Sequence, residues 1–242
     1  MSEIGGDVQI WRYMDMPKFL SMLDREALFF CRADQLGDKF EGSVTEATLA
    51  QREWLRHNPP AGMSKHGIET WADNQPAPRI FLRKHVYVSC WHRGAHESMA
   101  MWRGYGGGDF GVAIQSTRVV LEQALAGAST VPARSPVSVE EVTYGDYSSR
   151  DEYVPGRPLG PFLFKSNAYK HECELRALFL DLGADEQTFG MDVKADLSNL
   201  VQAVVVSPLA PAWYEELVRS TCRKLGWQFS VRPSAHSGSP RY

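Results

Sequence analysis

Residues 170–180 have the sequence KHECELRALFL and form the most informative segment of the chain. Side chains on a β-strand point alternately to its two faces, so Glu172, Glu174 and Arg176 would share one face of a strand here. The apolar residues 178–180 follow directly, which predicts an interior strand rather than a solvated edge. A charged face on an interior strand either forms ion pairs with neighbouring strands or lines a functional cleft, and both interpretations stay open.

The order of the remaining elements indicates the fold class. Strand signals such as residues 85–92 (HVYVSCWH) and helix signals such as residues 210–226 (APAWYEELVRSTCRKLG) occur without regular β-α-β alternation. We therefore predict an α+β fold, with a mixed and mainly antiparallel sheet flanked by helices, in a single domain over residues 1–234. Residues 235–242 are predicted to form a disordered tail, and residues 127–136 are the alternative place to divide the chain.

The composition is that of an ordinary globular protein of 242 residues, 43% of them hydrophobic. Its net charge of −3 argues against broad non-specific binding to nucleic acid, although it permits a local basic groove. No apolar run approaches 18 residues, and the first residues lack a basic region followed by an apolar one, so neither a membrane span nor a secretory signal is expected. The four cysteines are far apart and are expected to be reduced, which predicts a cytoplasmic protein.

Residues 106–111 (GGGDFG) contain the spacing G-x-G-x-x-G. A dinucleotide-binding fingerprint needs a strand before the glycines and a helix after them. The pattern here predicts a helix before and a strand after, so the glycines are interpreted as a helix stop and a tight turn.

Residues 89–97 (SCWHRGAHE) raise the question of a metal site. A thiolate and imidazoles suit Zn²⁺, and Cys90, His92, His96 and Glu97 are the available side chains. No second pair of ligands at a suitable spacing occurs elsewhere in the sequence. No metal is therefore expected, and capping of the next helix or contact with a substrate is the favoured role for His96 and Glu97.

Two further features carry candidate binding residues. Trp102 and Tyr105 lie three apart on a predicted helix and share one face, where they either pack in the core or form an aromatic wall for a flat ring. Arg12 lies in an otherwise apolar strand, where an arginine needs a carboxylate or a bound anion unless the strand end is exposed.

Six segments together resemble a bacterial family of uncharacterised domains of unknown function. The resemblance spans nearly the whole chain but implies no chemistry. The segments are WRYM at 11–14, LGDKFEG at 36–42, the run from VSCWH to YG at 88–106, GVAI at 111–114, the run ending in ExExR at 165–176, and VVVSP at 204–208.

The order of three motifs also resembles the mono-ADP-ribosyltransferases of the Arg-Ser-Glu class. These enzymes place an arginine on an early strand, a serine on a middle strand and Glu-x-Glu on a later one, as with Arg12, Ser89 and the pair Glu172 and Glu174. The chain departs from that class in having Ser-Cys-Trp where the class has Ser-Thr-Ser, and in the aromatic helix that follows. The resemblance implies an ADP-ribosyltransferase-like fold with NAD as substrate.

The resemblance also implies how NAD would be held. Arg12 would bind the NAD phosphates through a bidentate contact, and Ser89 would orient the catalytic glutamate. Trp102 or Tyr105 would stack on the nicotinamide.

The same resemblance implies the catalytic roles. Glu174 would hydrogen-bond the ribose hydroxyl and stabilise the oxocarbenium-like state as nicotinamide leaves, and Glu172 would activate or position the acceptor nucleophile. Arg176 and Lys165 would contact phosphates or pair with the glutamates.

Three classes of function therefore stay open. The first is an NAD-consuming transferase, in the manner of a toxin or a phage-defence effector, that acts on an unknown protein or nucleic-acid acceptor. The second is a metal-dependent nuclease or other phosphodiester-acting enzyme that uses Glu172, Glu174, Asp38 and His92. The third is a non-enzymatic nucleotide-binding sensor or interaction module.

Overall fold

The structure is a computed structural model that describes residues 7–74, 76–127, 135–152, 158–185 and 187–238. Within these ranges the chain forms an open, mixed and mostly antiparallel sheet with helices packed on it, so the predicted α+β class is confirmed. The predicted linker at 127–136 lies largely outside the described residues.

The elements follow the chain in this order. The strands are β1 (Gln9–Asp15), β2 (Ala27–Arg32), β3 (Val86–Arg93), β4 (Gly111–Thr117), β5 (Ser138–Glu141), β6 (Thr143–Gly145), β7 (Phe164–Ser166), β8 (Glu174–Leu180), β9 (Gly190–Lys194), β10 (Ala203–Val206) and β11 (Val231–Pro233). The helices are α1 (Met16–Arg25), α2 (Glu46–His57), α3 (Lys65–Asn74), α4 (Pro76–Arg83), α5 (Met99–Tyr105), α6 (Arg118–Leu125), α7 (Leu197–Leu200) and α8 (Tyr214–Lys224).

The main sheet has nine strands within the described ranges. Its path runs β11-β10-β4-β1-β3-β2-β9, while β8 pairs with β3 and β5 pairs with β8. The β10–β11 pair is parallel, and the other pairs of this sheet are antiparallel. A separate two-stranded sheet joins β6 and β7 in parallel.

Strand β3 is the branch point of the sheet. Residues 86–92 of β3 pair with β8, whereas the other edge of β3 pairs with β2 at residues 87–88 and with β1 at residues 92–93. A strand that has neighbours on both edges and is covered on both faces is shielded from water. Residues 86–89 of β3 are accordingly buried.

The two faces of the sheet have different coverings. One face packs on α1, α6, α7 and α8 through buried residues such as Phe19, Leu121 and Val218. On the opposite face, Met101 and Trp102 of α5 pack on side chains of β1, β4 and β10.

The glycine-rich segment has the predicted arrangement. Helix α5 ends at Tyr105 before the glycines, and β4 starts at Gly111 after them. Gly107 and Gly108 both have φ near +68°, a conformation that glycine adopts without a steric cost. The helix-then-strand order is the reverse of a dinucleotide-binding turn.

The prediction of a strand through residues 170–177 is wrong in its first half. Residues Asn167–Glu172 form a 3₁₀ helix, Cys173 adopts the left-handed conformation at φ 42°, and β8 begins only at Glu174. The alternation of side chains begins at Glu174, after this break. Glu172 is therefore positioned by the turn before β8, residues 167–173, and not by a strand.

The C-terminal segment continues past the predicted boundary at residue 234. The backbone N–H of Ala235 donates to Glu97 Oε1 at 2.9 Å, and that of His236 donates to Ser234 Oγ at 3.1 Å. Residues 239–242 lie outside the described residues. None of the described helices is long and apolar enough to cross a membrane.

Candidate functional site

A cleft with a volume of about 360 Å³ opens on the α5 face of the sheet, and we call it the charged cleft. Its lining combines residues of β1, β3, α5, β7 and β8 with the loop after β2 and the turn before β8. The lining residues are Trp11, Tyr13, Leu36, Gly37, Asp38, Glu41, Cys90, Trp91, His92, Met101, Tyr105, Lys165, Tyr169, Glu172, Glu174 and Arg176. Aromatic walls and convergent charged groups in one concavity are typical of a small-molecule site.

Arg176 lies between two carboxylates of the charged cleft. Its Nη2 is 2.8 Å from Glu174 Oε2 and 3.1 Å from Glu41 Oε2, and its Nη1 donates to Glu41 Oε1. Nη1 also donates to the carbonyl oxygen of Phe162 at 2.6 Å. Since a buried guanidinium is costly unless it is paired, these contacts are needed to keep Arg176 in place.

Lys165 links the two glutamates that the sequence singled out. Its Nζ pairs with Glu172 Oε2 and lies 3.6 Å from Glu174 Oε2. The hydroxyl of Tyr105 donates to the other oxygen of Glu172, Oε1, at 2.5 Å. Glu172, Glu174, Arg176, Lys165 and Tyr105 therefore meet in the charged cleft, as expected from the sequence.

The pKa values of two buried carboxyl groups of the charged cleft shift in opposite directions. Burial opposes ionisation of Glu174, but the nearby Arg176 and Lys165 outweigh it and lower the pKa of that carboxyl. For Glu41, burial outweighs the attraction of Arg176 and raises the pKa. Glu174 is therefore the carboxylate of this pair that stays ionised most firmly at neutral pH.

Asp38 adds a further carboxylate to the cleft. It is 7% exposed, and its Oδ1 accepts from the backbone N–H of Phe40 at 2.9 Å. Its buried Oδ2 has no hydrogen-bond partner among the described residues. An unpaired buried carboxylate oxygen favours a ligand that brings a donor or a positive charge.

Arg12 does not line the charged cleft, so the expectation that it would meet Glu174 there is wrong. Trp11 and Tyr13 of β1 line the cleft, and alternation turns Arg12 to the other face. Its guanidinium donates to the carbonyl oxygen of Phe29 at 2.8 Å and lies 5.7 Å from the ring centre of Trp91. Arg12 therefore links β1 to β2, two strands that pair with different parts of the same edge of β3.

Ser89 is also turned away from the charged cleft. It lies opposite Ala177 on β8, whereas the cleft residues Cys90 and His92 lie opposite Arg176 and Glu174. Ser89 is 1% exposed, and its Oγ has no hydrogen-bond partner among the described residues. The predicted contact between Ser89 and the catalytic glutamate is therefore not formed.

The two aromatic side chains of α5, Trp102 and Tyr105, lie in different environments. Trp102 is 1% exposed, packs edge-on to Tyr13 at 4.9 Å between ring centres, and donates from Nε1 to Glu97 Oε2 at 3.0 Å. Tyr105 is 47% exposed and lines the charged cleft. Core packing accounts for Trp102, and the cleft wall contains Tyr105.

Residues of the segment 89–97 do not assemble a metal site. Within the part of the chain that the structure describes, no group of three or more His, Cys, Asp and Glu side chains could hold a metal ion. Burial raises the pKa of Cys90 far above its ordinary value, which disfavours the thiolate that a metal prefers. Glu97 instead caps the C-terminal segment through Ser234 Oγ at 2.6 Å.

Glu41 is a charged cleft residue that the sequence reasoning missed. It comes from the loop after β2, and only its position in the segment LGDKFEG pointed to it. Loop residues have no periodicity, so no pattern predicts which charged side chain of a loop becomes buried against a strand.

The fold and the site together define a single-domain α+β protein with an open mixed sheet and a charged, aromatic-walled cleft on one face. Comparisons of the chain with protein-family models, with curated proteins and with solved structures found no match.

Proposed function

We propose that the charged cleft binds the nicotinamide end of NAD and that the protein is an NAD-consuming, ADP-ribosyltransferase-like enzyme that cleaves the nicotinamide N-glycosidic bond. The observation that carries the proposal is the carboxylate of Glu174, held by Arg176 and Lys165 in a cleft whose carboxyl groups outnumber its basic side chains. Cleavage of this bond places positive charge on the ribose, and a fixed carboxylate stabilises such a state.

The charge balance of the cleft supports a cationic ligand. Among the described lining residues, four carboxyl groups face two basic side chains: Asp38, Glu41, Glu172 and Glu174 against Lys165 and Arg176. The excess stays negative even when the charge of Glu41, whose pKa burial raises, is left out of the count. The oxidised nicotinamide ring carries a positive charge, so it is electrostatically complementary to the negative cleft.

The walls of the cleft suit a flat ring. Trp11, Tyr13, Tyr105 and Tyr169 contribute aromatic surface to the lining. Cations are attracted to aromatic faces, and the effect grows when water is excluded. A volume of about 360 Å³ lies at the low end for small-molecule sites, which suits the nicotinamide riboside end rather than the whole dinucleotide.

The proposed chemistry requires one bond to break and one to form. The bond between the ribose C1′ and the ring nitrogen breaks, its electron pair goes to the ring, and neutral nicotinamide leaves. Glu174 stabilises the positive charge on the ribose, and water or an acceptor nucleophile attacks C1′. The ion pairs that Lys165 and Arg176 make with the glutamates hold the carboxylate in a fixed position.

The proposal rests on the charged cleft and not on the complete Arg-Ser-Glu pattern. Arg12 and Ser89 do not reach the cleft, and Arg176 and Lys165 are engaged by carboxylates. The phosphates of NAD would accordingly lie outside the cleft.

A turnover assay tests the proposal. We expect the wild-type protein to release nicotinamide from NAD when cell lysate supplies acceptors, and Glu174→Gln to reduce the rate by about 10²–10³. Gln has nearly the same shape as Glu but lacks its charge. Glu216→Gln is the matched control, because Glu216 is exposed on α8. Absence of nicotinamide release by the wild-type protein would overturn the proposal.

A further inference from the structure

His92 lies in the charged cleft but has no role in the function derived so far. It is 7% exposed on β3, directly opposite Glu174 on β8 and Trp11 on β1. The side chains of such directly opposed residues lie on the same face of the sheet. His92 therefore faces the glutamate that the proposed reaction requires.

One hydrogen bond fixes the tautomer of this histidine. His92 Nδ1 is 2.7 Å from the carbonyl oxygen of Glu172, and a carbonyl oxygen can only accept. Nδ1 must therefore carry the proton, which leaves the lone pair on Nε2. Within the described chain Nε2 has no hydrogen-bond partner, and His92 lines the charged cleft.

His92 is also neutral at physiological pH. Burial lowers its pKa and outweighs the hydrogen bond to Glu172, which acts in the opposite direction, and His171 lowers the pKa further. The charged and titratable groups near the ring are Glu174 on β8, His171 and Glu172 in the turn before β8, and Tyr13 on β1, whose ring centre is 6.1 Å away.

Glu172 is badly placed for the role of base that the resemblance implies. Tyr105 donates to its Oε1, and Lys165 pairs with its Oε2. Both oxygens already accept from groups of the protein, so fewer of their lone pairs are free to face a substrate. Its backbone carbonyl, by contrast, orients His92.

We propose that His92 is the general base of the reaction, a proposal that rests on the NAD-cleaving function above. Its Nε2 takes a proton from the attacking water or acceptor hydroxyl while the oxygen forms its bond to C1′ and neutral nicotinamide departs. The imidazolium that forms lies opposite Glu174 on the neighbouring strand, and its Nδ1–H keeps the hydrogen bond to the carbonyl oxygen of Glu172. Lys165, Tyr105 and the side chain of Glu172 then hold the turn that positions the base.

The substitution His92→Asn tests this assignment. The Asn side-chain amide can still donate to the Glu172 carbonyl, but it has no basic nitrogen. We expect nicotinamide release with water as acceptor to fall by about 10²–10⁴, the usual contribution of a general base, with the affinity for NAD little changed. His66→Asn is the matched control, because His66 is an exposed histidine of α3 that does not line the charged cleft.

The pH dependence separates a base from a residue with a structural role only. The wild-type rate should fall as the pH drops through the lowered pKa of His92, because protonation removes the Nε2 lone pair. His92→Asn should lose this acidic limb, and His66→Asn should keep it. In ¹⁵N NMR spectra of the wild-type protein, His92 should carry its proton on Nδ1 at neutral pH.

The outcomes distinguish the two proposals. If the wild-type protein releases nicotinamide and His92→Asn keeps both the rate and the acidic limb, His92 is not the base and the proposed function stands. A proton on Nε2 instead of Nδ1 in the NMR spectra would also overturn the assignment. If the wild-type protein releases no nicotinamide, the proposed function fails, and the role of His92 fails with it.

Discussion

Single residues of the charged cleft depend on their partners for both position and charge. Arg176 is fully buried, and Glu41 supplies two of its hydrogen bonds from a loop that is distant in sequence. Because desolvation of a charge is expensive, a buried pair contributes less net stability than its contacts suggest, but loss of one partner is severe.

We expect Glu41→Ala to destabilise the protein by about 3–5 kcal/mol, because it leaves the buried guanidinium of Arg176 short of a partner. Urea unfolding monitored by tryptophan fluorescence measures the change. Glu216→Ala removes an exposed partner of Arg223 and should cost less than about 1 kcal/mol. Equal effects of the two substitutions would show that the Glu41–Arg176 pair does not hold the cleft together.

At the scale of single residues, the sequence predicted only some of the side chains that line the charged cleft. Glu174, Arg176 and Glu172 were identified because charged residues interrupt an apolar pattern, and such an interruption is visible locally. Glu41 was missed, since its burial depends on a contact with a residue 135 positions away. The tautomer of His92 was equally out of reach, since it depends on the carbonyl of a residue 80 positions away.

At the scale of elements, alternation along β1 explains why the Arg-Ser-Glu pattern does not assemble. Because side chains alternate along a strand, Arg12 points to one face of the sheet and its neighbours Trp11 and Tyr13 point to the other. The sequence shows this separation but not which side carries the cleft. Helix α5 and the turn before β8 decide that question, because they place Tyr105 and Glu172 on the side of Trp11 and Tyr13.

The structural role of Arg12 leads to a test at the same scale. Arg12→Met removes the hydrogen bond to the carbonyl of Phe29 that joins β1 to β2, so we expect a loss of about 1.5–3 kcal/mol in unfolding free energy with unchanged affinity for NAD. Arg223→Met, on the exposed side of α8, is the control. A large loss of NAD affinity at unchanged stability would instead give Arg12 the phosphate-binding role that the resemblance implies.

At the scale of the whole molecule, the sheet brings together parts of the chain that are far apart in sequence. The charged cleft needs β1, β3 and β8 side by side, with the loop after β2 next to them. The α+β class was predictable because strand and helix periodicities are local signals. The strand order was not predictable, because it depends on long-range pairing such as that between β3 and β8.

The negative charge of the cleft is the central claim, and a comparison of two ligands tests it most directly. A carbocyclic analogue of NAD, in which a methylene replaces the oxygen of the nicotinamide ribose, keeps the cationic ring but resists cleavage. Calorimetric titration of the wild-type protein should show that the oxidised analogue binds at least about tenfold more tightly than its reduced form, whose ring is neutral, and that the difference shrinks at high salt. Equal or tighter binding of the reduced form would contradict the account.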